Sequence, residues 1–361
     1  MNDSEINDIR QISDFKSNTF SKYKNSEVLK ELLNCIINGK IENACNWSAE
    51  LICSGRYFDL WNIILITFGK HIHLGNPKLP IYIENRFNKF KDILMGGYLD
   101  NELSMRNNDK IRKLFAEIIC VLCFSIKKHS LDSIKIKVNE DFDIINMASK
   151  LKAPNITYIN DVFKKDDPKE LFIAINELAY HISDDSKDNV SACKWIEWIL
   201  EFEKICKRKK ENFQCERRTF ANVNEKFQMD IVWIIWDAIL YECSKRNNHL
   251  LKRIMSSLIN IYCIKYNPAV KKKRRFLLYF AVSLLTENVN YDIEMIQNKK
   301  EINVITTKIN YIYKQIKLNE EKPNTDYLFS NLNQSKSNLE KTIEKLNKMK
   351  ELNTIIPNTN I

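Results

Sequence analysis

The sequence predicts an all-α protein: two packed helical lobes built from helical hairpins, with a short coiled-coil-like helix towards the C-terminus. Three observations carry that prediction. Glycine is scarce, at six residues of 361, and proline at seven, whereas strands and tight hairpins consume glycine that helices avoid. Apolar residues recur at helical spacing in segment after segment. Only residues 135–138 alternate as a strand would, and only briefly.

The clearest helix lies in residues 191–218, SACKWIEWILEFEKICKRKKENFQCERR. Trp195, Trp198, Ile199, Phe202, Ile205 and Cys206 form one wide apolar face. Glu197, Glu201, Lys204 and Arg208 fall opposite, acids before bases, as the macrodipole and i,i+4 pairing favour. Two tryptophans and a phenylalanine on one helix call for a large facing surface, so this helix is expected at the centre of the core.

Taken in order, residues 1–25 are polar and read as a flexible N-terminus from which Ile6, Ile9 and Phe15 can dock. Residues 26–38 form the first helix, ended by Gly39. Residues 42–53 and 57–71 make a helical hairpin closed at Gly55. Residues 71–80, with one glycine and two prolines, read as a loop. Helices are expected at 81–94, 109–128 and 141–152, with a break near 130–133. The first lobe therefore spans 26–152, and residues 153–166 are the connector. Asp167-Pro168 is a helix-start signature, opening a basic second lobe at 167–320 with helices at 168–182, from 191, and at 224–245, 248–266, 269–287 and 301–318. The middle of 224–245 is apolar nearly all round and is expected to be buried on most sides. Ile305, Ile309, Ile312 and Ile316 alternate four and three apart, a stripe suited to homo-oligomer contact. Pro323 stops that helix, and residues 321–361 are a mobile tail with one short helix near 339–349.

A content of 44% hydrophobic and 28% charged residues is ordinary for a globular chain and argues against whole-chain disorder. No apolar run reaches the ~18–20 residues of a membrane span. The ten cysteines are scattered through predicted helices, which points to reduced thiols. The formal charge of +10 is unevenly placed: residues 201–275 hold 18 Lys/Arg against 8 Asp/Glu, leaving the remainder neutral. Such a region calls for an acidic partner, and nucleic acid is the first choice.

Motifs for chemistry are sparse. Neither GxxxxGK[ST] nor GxGxxG occurs, so backbone phosphate cradles are not expected. Cys120-x-x-Cys123 has no second pair and reads as buried thiols. Cys206 and Cys215 bracket the basic run and are the weak metal candidates. His71-x-His73 suits capping or loop packing, and Asp184, Asp185 and Asp188 suit a turn before a helix. Nothing points to catalysis, and no cofactor is expected. The candidate nucleic-acid contacts are Lys207, Arg208, Lys209, Lys210, Arg217, Arg218, Lys271, Lys272, Lys273, Arg274 and Arg275, whose contacts with phosphate would be sequence-independent and salt-sensitive.

Three blocks together, residues 47–51 (WSAEL) through 71–80 (HIHLGNPKLP), residues 167–177 (DPKELFIAINE) through 215–218 (CERR), and residues 271–280 (KKKRRFLLYF), resemble a family of helical proteins from nucleocytoplasmic large DNA viruses of algae and protists. The likeness covers most of residues 42–320. It implies a viral origin, a place in the infected-cell cytoplasm or nucleus or in the virion, and work in genome handling or assembly. It carries no catalytic residue. The expected function is a non-enzymatic viral helical protein contacting nucleic acid through the second lobe. The alternative is a protein–protein scaffold or virion component, with a viral or host protein as partner.

Overall fold

The computed structural model describes residues 3–99, 101–211 and 213–322. Fourteen α-helices account for most of them, and no strand occurs among the described residues. The N-terminal helices are α1 (Asn25–Ile37), α2 (Ile41–Cys53), α3 (Tyr57–Ile66), α4 (Leu79–Met95) and α5 (Asp109–Phe124). Two short pieces follow, α6 (Val138–Asp141) and α7 (Ile144–Ala148), then α8 (Phe172–Ile182) and α9 (Asn189–Arg208). The chain continues with α10 (Val232–Lys245), α11 (His249–Tyr262), α12 (Lys271–Thr286), α13 (Lys299–Lys308) and α14 (Asn310–Ile316). The all-α class is therefore as the composition predicts. Among the described residues no helix is long and apolar enough to cross a membrane.

Helix ends follow local chemistry. Gly39 (φ +67°) and Gly55 (φ +70°) close α1 and α2 in the left-handed region. In each case the next amide reaches back, Lys40 N–H to Cys35 O at 2.9 Å and Arg56 N–H to Leu51 O at 2.9 Å, which satisfies carbonyls the helix leaves open. Asp188 caps α9 by accepting from the Ser191 amide (3.0 Å), and Asn248 caps α11 through the Leu251 amide (2.9 Å).

Beyond α3 the structure departs from the expected helix to residue 71 and loop to residue 80. The chain widens into a π-helical turn, Thr67–Ile72, then tightens into a 3₁₀ turn, His73–Gly75. Close packing explains both turns. A Cβ on Gly69 would lie 2.9 Å from Leu277 Cδ2 of α12, and one on Gly75 would lie 2.2 Å from the Ile126 carbonyl oxygen. The segment after α5 returns the hydrogen bonds, with Ser130 N–H to Lys70 O at 2.7 Å and Lys128 N–H to Ile72 O at 3.3 Å. Helix α4 then starts at Leu79, with Pro80 in its first turn.

The hub of the packing is α12 rather than α9. Helix α12 meets α3, α8, α9, α10, α11 and the turns at 67–75, whereas α9 packs mainly on α8 and α12. The apolar middle of α10 is buried as its sequence demands: Ile231 to Trp236, Ala238 and Ile239 are all fully inaccessible. Residues 26–152 and 167–320 contact each other at several places, α4 on α11, α5 on α13 and α3 on α12. Through Asn319 they belong to one compact unit, Met1–Ile6 with Gln11–Asn319. Ile6 and Phe15 of the N-terminal stretch are buried, and Ile9 is exposed. A second unit holds Asn7–Arg10 together with Glu320 and Glu321, where the Ile9 amide donates to Glu321 O at 3.2 Å.

Two further expectations need correction. Residues 135–138 form no strand, because among the described residues no second strand occurs to pair with them. Their alternation instead half-buries Ile134 and Ile136 and exposes Lys135 and Lys137. The isoleucine stripe is not carried by one uninterrupted helix either: it is split between α13 and α14 at Ile309. The helix expected at 339–349 and the stop at Pro323 lie outside the described residues.

The turn at 67–75 generates two expectations. Gly75→Ala forces its new Cβ into backbone rather than a yielding side chain, so urea denaturation is expected to show a loss of roughly 2–4 kcal/mol. The same turn holds two histidines whose pKa is pushed from 6.5 down to about 4. Burial is the main cause for each; His129, Lys70 and Lys127 add to it at His71, while Glu287 opposes it at His73. Between those limits the unfolded chain binds protons that the folded chain does not. Stability is therefore full above about pH 6.5 and falls as pH drops towards 4. His73→Gln is expected to flatten that slope in urea titrations across the window.

Candidate nucleic-acid interface

The basic candidates divide by helical geometry. Lys207 to Lys210 close α9, where positive charge complements the carbonyl end of the helix. Lys210 takes the left-handed conformation (φ +61°), and the Lys209 and Glu211 amides donate back to Ile205 O and Cys206 O, each at 3.1 Å. All four basic side chains of this run are exposed.

Lys271 to Arg275 are not a free basic loop. They form the first turn and a half of α12, and a 3.6-residue repeat sends five consecutive cations to different sides. Lys271 and Arg274 point inward and are buried, Lys272 and Lys273 are exposed, and Arg275 is half-buried. The cations start a helix whose dipole disfavours them, and carboxylates on neighbouring elements offset that. Lys271 Nζ donates to both oxygens of Glu203 (2.6 and 2.5 Å) and to Asp230 Oδ1 (2.6 Å). Arg275 pairs with Glu197 at 3.0 Å, and Glu197 also accepts from the Tyr279 hydroxyl at 2.8 Å. Arg274 donates to Tyr262 O at the end of α11 (2.6 Å).

Glu203 is also the partner of Lys207, at 2.5 Å. One carboxylate thus joins the end of α9 to the start of α12 and sets the two basic runs side by side. Partial burial works to lower the Lys207 ammonium, but the Glu203 carboxylate overrides it and raises the pKa above the usual lysine range. Around that junction stand Arg208, Lys209, Lys210, Lys272 and Lys273. Among the described residues none of these five has a carboxylate within ion-pair distance. All five are exposed.

Arg218, expected on the same surface, is fully buried and serves the fold. It makes a two-pronged pair with Asp167 (2.6 and 3.1 Å), donates to Asp237 Oδ2 at 2.7 Å, and reaches the carbonyls of Val162 (3.1 Å) and Glu216 (2.9 Å). Arg217 is exposed but bonded to Gln228 (2.6 Å) and Glu225 (3.1 Å). Of the eleven candidates, then, Arg218, Lys271 and Arg274 cannot face a phosphate, because each is buried with internal partners. The pairs at 245–246 and 252–253 belong elsewhere: Lys245 is held by Glu242, Arg246 by Asp184 and Arg253 by Glu84.

Other chemistry is thin. Cys206 and Cys215 are buried, and burial pushes their thiols up to about 11 and about 12, which suits packing more than metal binding. All ten cysteines are buried and free, with Cys45 Sγ 4.0 Å from Cys120 Sγ. Among the described residues no cluster of three or more His, Cys, Asp or Glu side chains could hold a metal ion. His181 Nδ1 lies 3.1 Å from Ser186 Oγ and its Nε2 lies 3.5 Å from Glu177. Yet His181 is inaccessible, and both Glu177 oxygens accept backbone amides, from Lys152 and Ala153 at 2.9 Å each. That trio clamps the connector onto α8.

The isoleucine stripe is largely used within the chain. Ile309 and Ile316 are buried, with α13 on α5 and α14 on α2, while Ile305 and Ile312 are half-buried. These two, with Ile41, Val304 and Tyr311, line an apolar groove of about 740 Å³.

Sequence reading missed three lysines, Lys150, Lys152 and Lys194, that converge on a pocket beside α9. Only the tertiary fold brings those three together. Comparison with known protein families, with curated proteins and with solved structures finds no match.

The division between buried and exposed cations is testable by stability. Lys271→Gln leaves Glu203 and Asp230 without their shared ammonium and is expected to cost about 3 kcal/mol in urea denaturation. Lys272→Gln, one residue along, is expected to change stability by less than about 0.5 kcal/mol.

Proposed function

We propose that the chain binds nucleic acid through the ridge formed by Arg208, Lys209, Lys210, Lys272 and Lys273, without catalysing a reaction. The observation that supports this reading is the junction at Glu203, which joins the end of α9 to the start of α12, the two helix ends that carry the basic runs. A surface of unpaired lysines and an arginine suits the phosphate backbone, where affinity comes from neutralised charge and released counterions. The viral setting, in genome handling or assembly within an infected cell, rests on the sequence resemblance alone. A second reading, a scaffold that binds protein, is favoured by the apolar groove along α13 and α14.

The test is binding of the full chain to labelled DNA and RNA across a salt series. Log affinity is expected to fall linearly with log salt. Replacing Lys209, Lys210, Lys272 and Lys273 with Gln is expected to weaken binding at least tenfold near 50 mM salt and to make the slope about three units shallower. Absence of binding at low salt overturns this reading and leaves the scaffold.

A further inference from the structure

Helix α9 carries a second feature at its other end. Its first turns, with Ser191, Lys194, Trp195 and Trp198, face the chain between Asp141 and Lys152, and the two enclose a pocket of about 230 Å³. One wall is aromatic. The Trp195 and Trp198 rings lie 5.9 Å apart. The Trp198 indole N–H donates to Asp141 O at 2.9 Å and its ring packs on Phe142 at 4.7 Å. That wall is fixed before any ligand arrives, so little ordering cost remains for binding.

The rest of the lining is cationic and polar: Lys150, Lys152 and Lys194, with Ser149 and Ser191. Two carboxylates face them, and both are engaged. Asp141 accepts from Lys150 (2.7 Å) and the Lys137 amide (2.8 Å), with Lys194 at 3.5 Å. Asp188 caps α9 and lies 3.5 Å from Lys152. Three ammonium groups beside two indole rings inclined at 60° to each other fit one chemistry, an aromatic ring that carries an anion. The volume is below the ~300–1,000 Å³ of pockets for drug-sized ligands, which limits the occupant to about one nucleotide unit.

We propose that this pocket seats a single base of a nucleic-acid strand against the Trp195 and Trp198 side of the pocket, with its phosphate on Lys150, Lys152 and Lys194. The proposal rests on the ridge being the nucleic-acid surface, and α9 supplies the link. Lys194 and Arg208 lie fourteen residues apart, so they fall within about 40° of each other around the helix and about 21 Å along it. Glu201, between them on that stripe, is neutralised by Lys204 at 2.9 Å. A strand lying along α9 passes from the pocket to the ridge without meeting an unpaired acid. Bases stacked inside a duplex cannot enter, so single strands are the preferred partner.

The experiment compares a single strand of about 12 nucleotides with a duplex of equal length, by anisotropy near 50 mM salt. Uridine and adenosine monophosphates are titrated separately against tryptophan fluorescence. The full chain is expected to prefer the single strand by about tenfold, and each mononucleotide to quench the fluorescence. Lys150→Gln with Lys194→Gln is expected to remove that preference and the quenching while leaving duplex binding within about twofold. Unchanged single-strand preference and quenching in this variant overturn the pocket. If neither oligonucleotide binds the full chain, the ridge reading falls, and the mononucleotides decide the pocket. Quenching that the double variant loses sustains it; absence of quenching overturns it. Because Asp141 loses both its cations in that variant, Lys152→Glu, on a lysine that is 59% exposed, repeats the test without disturbing Asp141.

Discussion

Below the surface, where α12 begins, one ammonium meets two carboxylates: Lys271 between Glu203 of α9 and Asp230, just ahead of α10. Three elements distant in sequence are fixed there by groups that cannot be left unpaired, because removing one partner strands a buried charge. Asp230 also stands at the threshold of the fully buried apolar stretch of α10, so the contact sets where that helix enters the core. Hub helix, central apolar helix and basic helix all take their relative positions from this contact. The Arg218 cluster does similar work a short distance along the chain, tying Asp167 at the end of the connector to Asp237 on α10.

This arrangement separates two uses of positive charge that look identical in a sequence. The inward members of each run satisfy carboxylates and carbonyls and so specify packing. The outward members are left facing water. A mutational survey that treats the runs as single patches would confuse loss of folding with loss of contact, since Lys271 and Lys272 are adjacent residues with opposite roles.

Much of the fold was legible in the sequence, because its signals are local. Gly39 and Gly55 end helices through their own backbone freedom, Asp188 and Asn248 begin helices through their own side chains, and residues 231–239 are too apolar to lie anywhere but inside. Features that depend on neighbours were not legible. In the turns at 67–75, α12 and the chain after α5 leave no room for a side chain at Gly69 and Gly75. Residues 135–138 do alternate, but a strand needs a partner strand, and none occurs among the described residues. The site was legible as a bias of charge and not as a surface: helical period alone would have split residues 271–275, whereas the shared Glu203 and the three-lysine pocket required coordinates.

The ten free, buried cysteines have a consequence of their own. They are spread over α1, α2, α5, α9, α10 and the chain at 215 and 263, and in the native state none offers an accessible thiolate. Alkylating reagents can reach them only when a region opens. The chain thus carries its own set of opening clocks, one per region, whose modification rates rank local stabilities without any added label. The same burial is also a liability. A molecule that unfolds under oxidising conditions exposes ten partners at once, and any mismatched disulfide then holds apart helices that must repack, so refolding depends on a reducing environment.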